Sequence, residues 1–422
     1  MSSPKPAFLV VVIALAASST MFANDWPQWR GPKRDGLASE KGLLKVWPKD
    51  GPVLAWTAGG LGKGYASVVL VGDQIFTMGD RGQDQFLIAL NRNDGGEKWA
   101  TKVGKRWDDG GSRCTPTVDG DSVYAESPHG DLVCASRADG TIVWRKDLQQ
   151  DLGGRMMSGW GFSESPLIDD EKLICTPGGD KAAIAALDAK TGEVIWQADV
   201  PDCGGAGYAS PVAAVIHGVR QYITLFGKSG GIVSVAAKDG KLLWRHNKVA
   251  GGTANVSTPI VKGDLVLYST GYDDGGLALL RIVRDGKGLK ATEVYVKKAN
   301  ELRNHHGGMV LVGDYLFGGH GQNNGIPFCL EFATGKETWK RERGPGSGSA
   351  AVVYADGHLY FRYENGVVAL IEANPKALEI KSTFQIPKPN GPGWPHPVVV
   401  DGKLYLRNQD QLLCYELKPG AK

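Results

Sequence analysis

The sequence predicts an all-β protein, namely an eight-bladed β-propeller of four-stranded antiparallel blades. Three observations predict this fold. A hairpin that ends in tryptophan recurs along the chain, a second kind of hairpin occurs eight times, and the last repeat lacks one strand that the N-terminal region can supply. Strand-like repeats of about 45 residues are typical of propellers and related arrays.

The tryptophan hairpin is clearest at residues 186–196 (ALDAKTGEVIW), where a polar turn separates two short strands. Its glycine suits a turn position with positive φ, and the flanking apolar alternation suits half-buried antiparallel strands. The outline recurs at residues 89–99, 134–144, 234–244 and 329–339, each with tryptophan four residues after a turn glycine. The first four of these tryptophans lie 45, 52 and 48 residues apart, and the fifth follows after 95, which is two periods.

The second hairpin combines small residues or proline, an alternating strand, a Gly-Asp-like turn and another alternating strand. It begins at residues 65, 114, 164, 209, 257, 306, 349 and 396. With the tryptophan hairpin, each repeat has four antiparallel strands, called a to d in chain order. Residues 277–296 and 367–384 have lost the tryptophan pattern, so seven blades is the alternative count.

The ends of the chain predict how the ring closes. The last repeat ends with its strand c at residues 412–417, and residues 51–56 (GPVLAW) resemble a strand d with no repeat before it. Pairing them leaves only short, protected sheet edges. We therefore expect one propeller domain at residues 51–418, with the irregular segment 24–50 packed on it as a lid or plug.

Six tryptophans occupy the end of a strand d: Trp56, Trp99, Trp144, Trp196, Trp244 and Trp339. A large aromatic side chain at a recurring interface buries much apolar surface. We interpret these residues as structural, each packing against the neighbouring blade.

Composition and the N-terminus bear on location. The net charge of +3, without a long charged run, gives no indication of nucleic-acid binding. Lys5, the apolar run 8–17 and the small residues up to Ala23 are typical of a signal peptide rather than a spanning helix. We expect an exported, periplasmic or extracellular monomer, with no lipid anchor because no cysteine lies beside the cleavage region. The six scattered cysteines lack the C-x-x-C spacing of zinc or redox sites, although a disulfide between distant cysteines stays open.

The d–a and b–c connections of a four-stranded blade lie on one face of the disc, here called the loop face. Reactive side chains concentrate there, so it is the candidate site. The candidate ligand-binding residues are Trp107, Arg113, Arg155, Trp160, Asn255, Arg303, Asn304, His305, His306, His320, Asn323 and Trp394. His129 and His396 are interpreted as ordinary surface residues.

The strongest local cluster is residues 303–306 (RNHH), which His320 faces from the same blade. Polar ligand contact, structural loop packing and metal binding are its alternative roles. We predict no metal site, because adjacent histidines diverge and no His-x-His spacing is present. No nucleophile elbow, phosphate loop or dinucleotide fingerprint occurs in a suitable setting, so no catalytic residue is assigned.

The hairpin ALDAKTGEVIW resembles the tryptophan-docking motif of the quinoprotein alcohol dehydrogenase-like family, the propellers with pyrroloquinoline quinone (PQQ) repeats. The resemblance covers most of residues 51–417 and implies an eight-bladed propeller. Segments such as DWPQWRGP and NHHGGMVLVGDYLFGG resemble secreted PQQ-repeat proteins of planctomycete-type bacteria. The dehydrogenases add adjacent cysteines and a Glu, Asn and Asp set around calcium, and neither can be matched here. The related β-barrel assembly lipoprotein of outer membranes uses the fold as a protein-binding scaffold.

Two functions follow from this resemblance and the loop face. The first is an exported, non-catalytic scaffold that binds an envelope protein, a peptide or a glycan through the loop face. The alternative is an oxidoreductase that depends on PQQ with Ca²⁺ or on another metal, with the quinone near Trp107, Trp160 or Trp394. We lean towards the non-enzymatic function and assign no cofactor.

Overall fold

The computed structural model describes residues 25–108 and 110–420, so the predicted signal peptide at residues 1–23 lies outside the described residues. Over the described part the protein is all-β and contains no helix. Two strands precede the first complete blade, β1 (Leu37–Ala38) and β2 (Leu54–Ala58). The remaining strands form successive antiparallel sheets, as predicted.

The blades follow one another in chain order. Blade 1 comprises β3 (Val69–Val71), β4 (Gln74–Arg81), β5 (Asp84–Asn91) and β6 (Glu97–Lys105). Blade 2 comprises β7 (Thr117–Asp119), β8 (Ser122–Glu126), β9 (Asp131–Ser136) and β10 (Ile142–Asp147). Blade 3 comprises β11 (Leu167–Asp169), β12 (Lys172–Cys175), β13 (Ala185–Asp188) and β14 (Val194–Gln197). Blade 4 comprises β15 (Val212–Ile216), β16 (Val219–Leu225), β17 (Ile232–Ala236) and β18 (Leu242–His246).

The second half of the ring repeats this plan. Blade 5 comprises β19 (Ile260–Lys262), β20 (Leu265–Thr270), β21 (Gly276–Asp285) and β22 (Gly288–Lys298). Blade 6 comprises β23 (Met309–Val312), β24 (Tyr315–His320) and β25 (Ile326–Glu331). Blade 7 comprises β26 (Ala350–Ala355), β27 (His358–Tyr363), β28 (Val367–Glu372) and β29 (Ile380–Gln385). Blade 8 comprises β30 (Val398–Val400), β31 (Lys403–Asn408) and β32 (Gln411–Glu416), together with β2.

The eight-blade count is confirmed, and the predicted closure of the ring is observed. Strand β2 pairs antiparallel with β32, with Trp56 opposite Cys414. Blade 6 departs from four full strands, because its outer segment is reduced to a single bridge between Leu330 and Glu337. The sequence that follows, residues 343–348 (RGPGSG), is rich in glycine and proline, which disfavour a continued strand.

The apolar core lies between neighbouring blades rather than within one sheet. Trp196 of blade 3, for example, shares a buried cluster with Tyr222 and Val233 of blade 4. The six cysteines all lie in the described part of the chain, where each is buried and none forms a disulfide. Each therefore behaves as a small apolar side chain.

The strand-d tryptophans pack on the turn of the next blade. The indole Nε1 of Trp144 donates to the carbonyl of Ala189, and a Cβ at Gly192 would lie 2.8 Å from the Trp144 ring. Trp99 and Trp196 make the same pair of contacts, with Arg137 and Gly140 and with Ala237 and Gly240. Glycine is needed at these turns because its φ is positive and the indole fills the space where a Cβ would project.

The repeats without tryptophan keep part of this contact. Tyr295 of blade 5 packs on Gly335, and its hydroxyl donates to the carbonyl of Phe332. Phe384 of blade 7 packs on Gly51, which stands before β2 where other blades have their turn glycine. The long β21–β22 hairpin offers no such turn to Trp244, whose Nε1 donates to Gln221 of its own blade.

A ladder of hydroxyl groups links the first strands of the early blades. The backbone N–H of Ser67 donates to Thr115 Oγ1, that of Thr115 to Ser165 Oγ, and that of Ser165 to Ser210 Oγ. Ser67 Oγ donates in turn to the carbonyl of His396, which joins blade 1 to blade 8. Each bond crosses a blade boundary around the central channel and satisfies a buried backbone donor or acceptor.

Replacing Gly192 by alanine tests the docking contact. The left-handed backbone costs any alanine about 1–2 kcal/mol, and the clash with Trp144 adds about 1–3 kcal/mol of overpacking. Gly218→Ala is the matched control, because Gly218 has φ of 78° against 73° and no atom within 4 Å of an added Cβ. We expect chemical denaturation to show the larger loss of unfolding free energy for Gly192→Ala. Equal losses would show that the indole tolerates the methyl group and does not fix the turn.

Candidate functional site

Residues 25–38 lie in the central channel and are called the plug here. Its first part joins blades 1 and 2: Trp26 forms a bridge with Leu70, and the N–H of Val118 donates to the carbonyl of Pro27. Its last part, β1, pairs in parallel with β26 of blade 7. The plug therefore lies against the innermost strands on both sides of the channel.

Two arginines anchor the plug. The Arg34 guanidinium is buried and donates to the carbonyls of Ser165, Pro166 and Pro211, on blades 3 and 4. The Arg30 guanidinium, also buried, donates to the carbonyl of Met309 on blade 6. Burial lowers the pKa of Arg34 to about 9 and that of Arg30 to about 10, so both remain cationic at neutral pH.

Above the plug lies a cavity of about 280 Å³ that the loop face surrounds. Most of its lining residues stand in d–a connections. They are Trp29, Tyr65, Arg113, Trp160, Ser163, Ser165, Tyr208, Ser210, Ala254, Val256, Tyr272, His306, Trp394 and His396. Trp29 belongs to the plug and forms part of the floor, where its ring contacts His396 at a centroid distance of 4.4 Å and its Nε1 donates to Thr258.

Six rings form a continuous aromatic arc around the cavity. In order of contact they are Tyr65, Trp394, His306, Tyr272, Trp160 and Tyr208, with successive centroids 4.6 to 5.9 Å apart. A hydrogen bond of 2.8 Å between the Tyr272 hydroxyl and His306 Nε2 reinforces the arc. Aromatic rings supply rigid contact area at low entropic cost, which favours ligand binding.

The cavity has a cationic and donor-rich character. Arg113 lies over the Tyr65 ring at 5.8 Å, and no carboxylate is among the described residues that line the cavity. Burial lowers the pKa of His306 well below its usual value, with the charges of His305 and Arg113 acting in the same direction. Burial, aided by Arg30 and Arg362, lowers the pKa of His396 to about 3. Both histidines are therefore neutral near pH 7.

Four of the twelve candidate residues line the cavity: Arg113, Trp160, His306 and Trp394. Three others are buried supports. Asn255 holds its own loop through Gly251 and Phe226, Asn304 bonds the carbonyls of Gly308 and Gly319, and His305 bonds Ser349. All three side chains contact loop residues and lie outside the described cavity lining.

The remaining five candidates lie outside the cavity lining. Arg155 pairs with Asp180 at 2.9 Å on the surface, and Arg303 donates to the carbonyl of Asp273. His320 accepts from the Arg303 backbone, as its predicted position opposite that cluster requires. Asn323 contacts Ser349, and Trp107 contacts His129.

Sequence reasoning misses several lining residues. His396, interpreted from the sequence as a surface residue, is buried and forms part of the cavity, because the plug covers it with Trp29 and Arg30. The candidate set also omits Tyr65, Tyr208 and Tyr272, although each stands in a d–a or b–c connection. Their position on the loop face is the signal that could have found them.

A family model described as outer membrane protein assembly factor BamB matches residues 83–341. The chain belongs to this family. Among curated relatives, the BamB of Alkalilimnicola ehrlichii is 27% identical over 231 residues, which cover 53% of this chain and 52% of that protein. The BamB of Shewanella oneidensis is 22% identical over 257 residues, covering 58% and 60%. The chain thus spans only about half to three fifths of the length of these BamB relatives.

Solved structures of dehydrogenases share the fold of this chain. A europium-containing methanol dehydrogenase superposes with a TM-score of 0.65 at 12% identity, covering 91% of this chain and 89% of that one. Quinohemoprotein alcohol dehydrogenase from Comamonas testosteroni gives 0.62 at 14% identity, covering 94% and 81%. The resemblance to PQQ-repeat propellers is confirmed, and at these identities the likeness shows the fold alone.

The quinone and calcium that the family resemblance implies can be tested against the residues of this cavity. Calcium takes six to eight oxygen ligands, mainly carboxylates and carbonyls. The described lining residues contribute serine and tyrosine hydroxyls but no Asp, Glu, Asn or Gln side chain. Within residues 25–108 and 110–420, no group of three His, Cys, Asp or Glu side chains could hold a metal ion. The donor set therefore does not fit a calcium-dependent quinone.

Beside the plug lies a buried pair of carboxyl groups, Glu126 and Glu164. Burial raises both pKa values, that of Glu126 well above its usual range and that of Glu164 to about 7, and repulsion between the two adds to the effect on Glu126. The backbone N–H of Thr176 donates to Glu164 Oε1, and the Arg34 charge opposes the rise. Two adjacent carboxylates cannot both ionise readily, so the pair holds a proton at neutral pH.

Glu164→Gln should flatten the pH dependence of stability. The pKa of the Glu164 carboxyl is higher in the folded than in the unfolded state. As the pH rises, the unfolded state therefore loses this proton first. The free energy of unfolding therefore falls as the pH rises from about 4.5 to about 7. Glutamine keeps the acceptor for Thr176 and cannot ionise, so the variant should exceed the wild type in denaturation midpoint above pH 7. The exposed Glu171→Gln is the control, and an unaltered profile in Glu164→Gln would contradict the assignment.

Proposed function

We propose that the protein is a non-catalytic scaffold of the cell envelope whose loop face binds a partner protein during outer-membrane protein assembly. Membership of the family described as outer membrane protein assembly factor BamB supports this role. In this proposal residues 1–23 are removed on export, and residues 24–50 pack on the propeller domain of residues 51–418. Among the described residues no helix is long and apolar enough to cross a membrane.

The observation that carries the proposal is the concave, aromatic-lined cavity of the loop face, backed by the plug. A partner can therefore insert side chains only from the loop side. Aromatic residues and arginine are enriched where protein interfaces gain most of their energy. The rim adds exposed cationic side chains: Arg106 and Arg155 pair with Asp108 and Asp180, and Lys228 is exposed as well, so acidic side chains of a partner can compete for them. A peptide would bind the loop face through the same contacts as a segment of a partner protein.

Charge reversal on the two faces of the disc tests this proposal. The variant Arg155→Glu with Lys228→Glu alters the loop face, and Lys190→Glu with Lys238→Glu alters c–d turns of blades 3 and 4 on the opposite face. Each pair of substitutions removes one exposed ion pair, to Asp180 or to Glu171. In host cells that lack the native gene, we expect only the opposite-face variant to restore the folded fraction of outer-membrane proteins.

The readout is the amount of heat-modifiable, folded outer-membrane protein on gels. Equal restoration by both variants would contradict the loop face as the binding surface. Unchanged levels after deletion of the gene would contradict the role in assembly itself. Equal abundance of the two variants in the cells is the necessary control.

A PQQ-dependent oxidoreductase is the second candidate, favoured by the shared fold with the dehydrogenases. A ligand at about 100 times its dissociation constant stabilises the folded state by roughly 2.7 kcal/mol. Because the cavity lacks a calcium ligand set, we expect PQQ with Ca²⁺ to leave the thermal unfolding midpoint unchanged. A rise that requires Ca²⁺ would support the oxidoreductase instead.

A further inference from the structure

The polar groups of the cavity are mainly hydrogen-bond donors. Ser165 Oγ accepts from the N–H of Thr115, and Ser210 Oγ accepts from the N–H of Ser165, so each hydroxyl hydrogen remains to be donated. The indole N–H of Trp394 is a buried donor without a hydrogen-bond partner within the described protein, and His306 Nδ1 also lacks one, as donor or acceptor according to its tautomer. Unsatisfied buried donors cost free energy, which an acceptor-rich ligand would recover.

In the described part of the chain, the charged side chain of the lining and two directly behind it are cationic. Arg113 lines the cavity, and the buried Arg30 and Arg362 lie behind His396, close enough to lower the pKa of that histidine. Within the described protein, both buried arginines have guanidinium nitrogens without a partner, Nε and Nη1 in Arg30 and Nε and Nη2 in Arg362. The potential inside the cavity therefore favours an anion.

Among residues 25–108 and 110–420, two carboxylates that act on this region from outside the lining are already engaged. Glu364 accepts from the backbone N–H of Ser349. Asp80 accepts from the side chain of Gln85 and from the backbone N–H of Trp107. Neither carboxylate lines the cavity, so neither would repel a bound anion at contact distance.

The walls favour a ring. The aromatic arc borders a space of about 280 Å³, just below the usual range of small-molecule pockets and large enough for one small ring. Arg113 lies over the Tyr65 ring at 5.8 Å and lines the cavity together with the arc. Burial raises the pKa of Tyr208 and Tyr272 and lowers that of His306, and the Arg113 charge opposes the rise and adds to the fall. A ring whose apolar face packs against the arc can consequently present a carboxylate to this guanidinium, in a charge-assisted contact.

We propose that the cavity binds a uronic acid, that is, a pyranose ring carrying a carboxylate. The apolar C–H face of the pyranose packs on the aromatic arc, its carboxylate binds Arg113, and its hydroxyl oxygens accept from Ser165 and Ser210. A neutral sugar would gain nothing from the positive charge, and an aromatic acid would leave the serine hydroxyls without acceptors. This inference goes beyond the proposed function and does not depend on a protein partner.

Titration with D-glucuronate and D-galacturonate tests the inference, using the fluorescence of the mature protein. Trp29, Trp160 and Trp394 line the cavity and should report binding. We expect saturable quenching by at least one uronate below about 10 mM, with glucose and galactose at least about tenfold weaker. Arg113→Gln should remove the preference for the acid, and Arg113→Lys should retain part of it. Arg155 is an exposed arginine of the same face outside the described lining, so Arg155→Gln should leave the preference for the acid unchanged.

Three outcomes would overturn the proposal. No saturable binding of either uronate would exclude the ligand class, and equal binding of acid and neutral sugar would exclude the role of Arg113. Binding of phenylacetate as tightly as the uronates would assign the cavity to ring-bearing carboxylates without a sugar. If Arg113→Gln does not fold, as judged by circular dichroism, the lysine variant and the comparison of acid with neutral sugar still decide. Loss of assembly activity with uronate binding retained separates this inference from the proposed function.

Discussion

The structure depends on one repeated contact, an aromatic side chain of strand d seated on the turn glycine of the next blade. The contact requires a turn residue that lacks a Cβ and has a positive φ, and Gly140, Gly192 and Gly240 meet both conditions. A contact of this kind also occurs where the N-terminal strand closes the ring, because Phe384 packs on Gly51. The N-terminal strand is therefore held in the last blade by the same kind of contact that Trp99, Trp144 and Trp196 make with the next blade.

Closure by the N-terminal strand also determines what fills the channel. The chain N-terminal to β2 lies next to blade 8, and its first described part, residues 25–38, enters the centre as the plug. Burying Arg30 and Arg34 there is costly, since no carboxylate of the described residues pairs directly with either guanidinium and carbonyl oxygens accept instead. The result is a floor of Trp29 and His396 with cations beneath it, which gives the cavity both its depth and its charge.

Much of the fold could be predicted from the sequence because each blade repeats the same local pattern, and the missing strand left a visible gap. The site was less accessible, since polar residues in d–a loops serve two purposes that look alike in a sequence. Asn255 and His305 support loops, whereas Arg113 and His306 face the cavity. Trp29 bonds Thr258 across 229 positions, and no local pattern indicates such a contact.

The same argument explains why a shared fold does not transfer an activity. The blades and docking contacts fix a ring with a cavity at its centre, but the chemistry depends on which side chains the d–a loops turn inward. A calcium-bound quinone needs converging oxygen acceptors, whereas Arg113, Ser165 and Ser210 present a cation and donors. The lining therefore suits a ligand with negative charge and hydrogen-bond acceptors, whereas a metal ion needs the opposite. The aromatic arc further favours ligands with an apolar ring face.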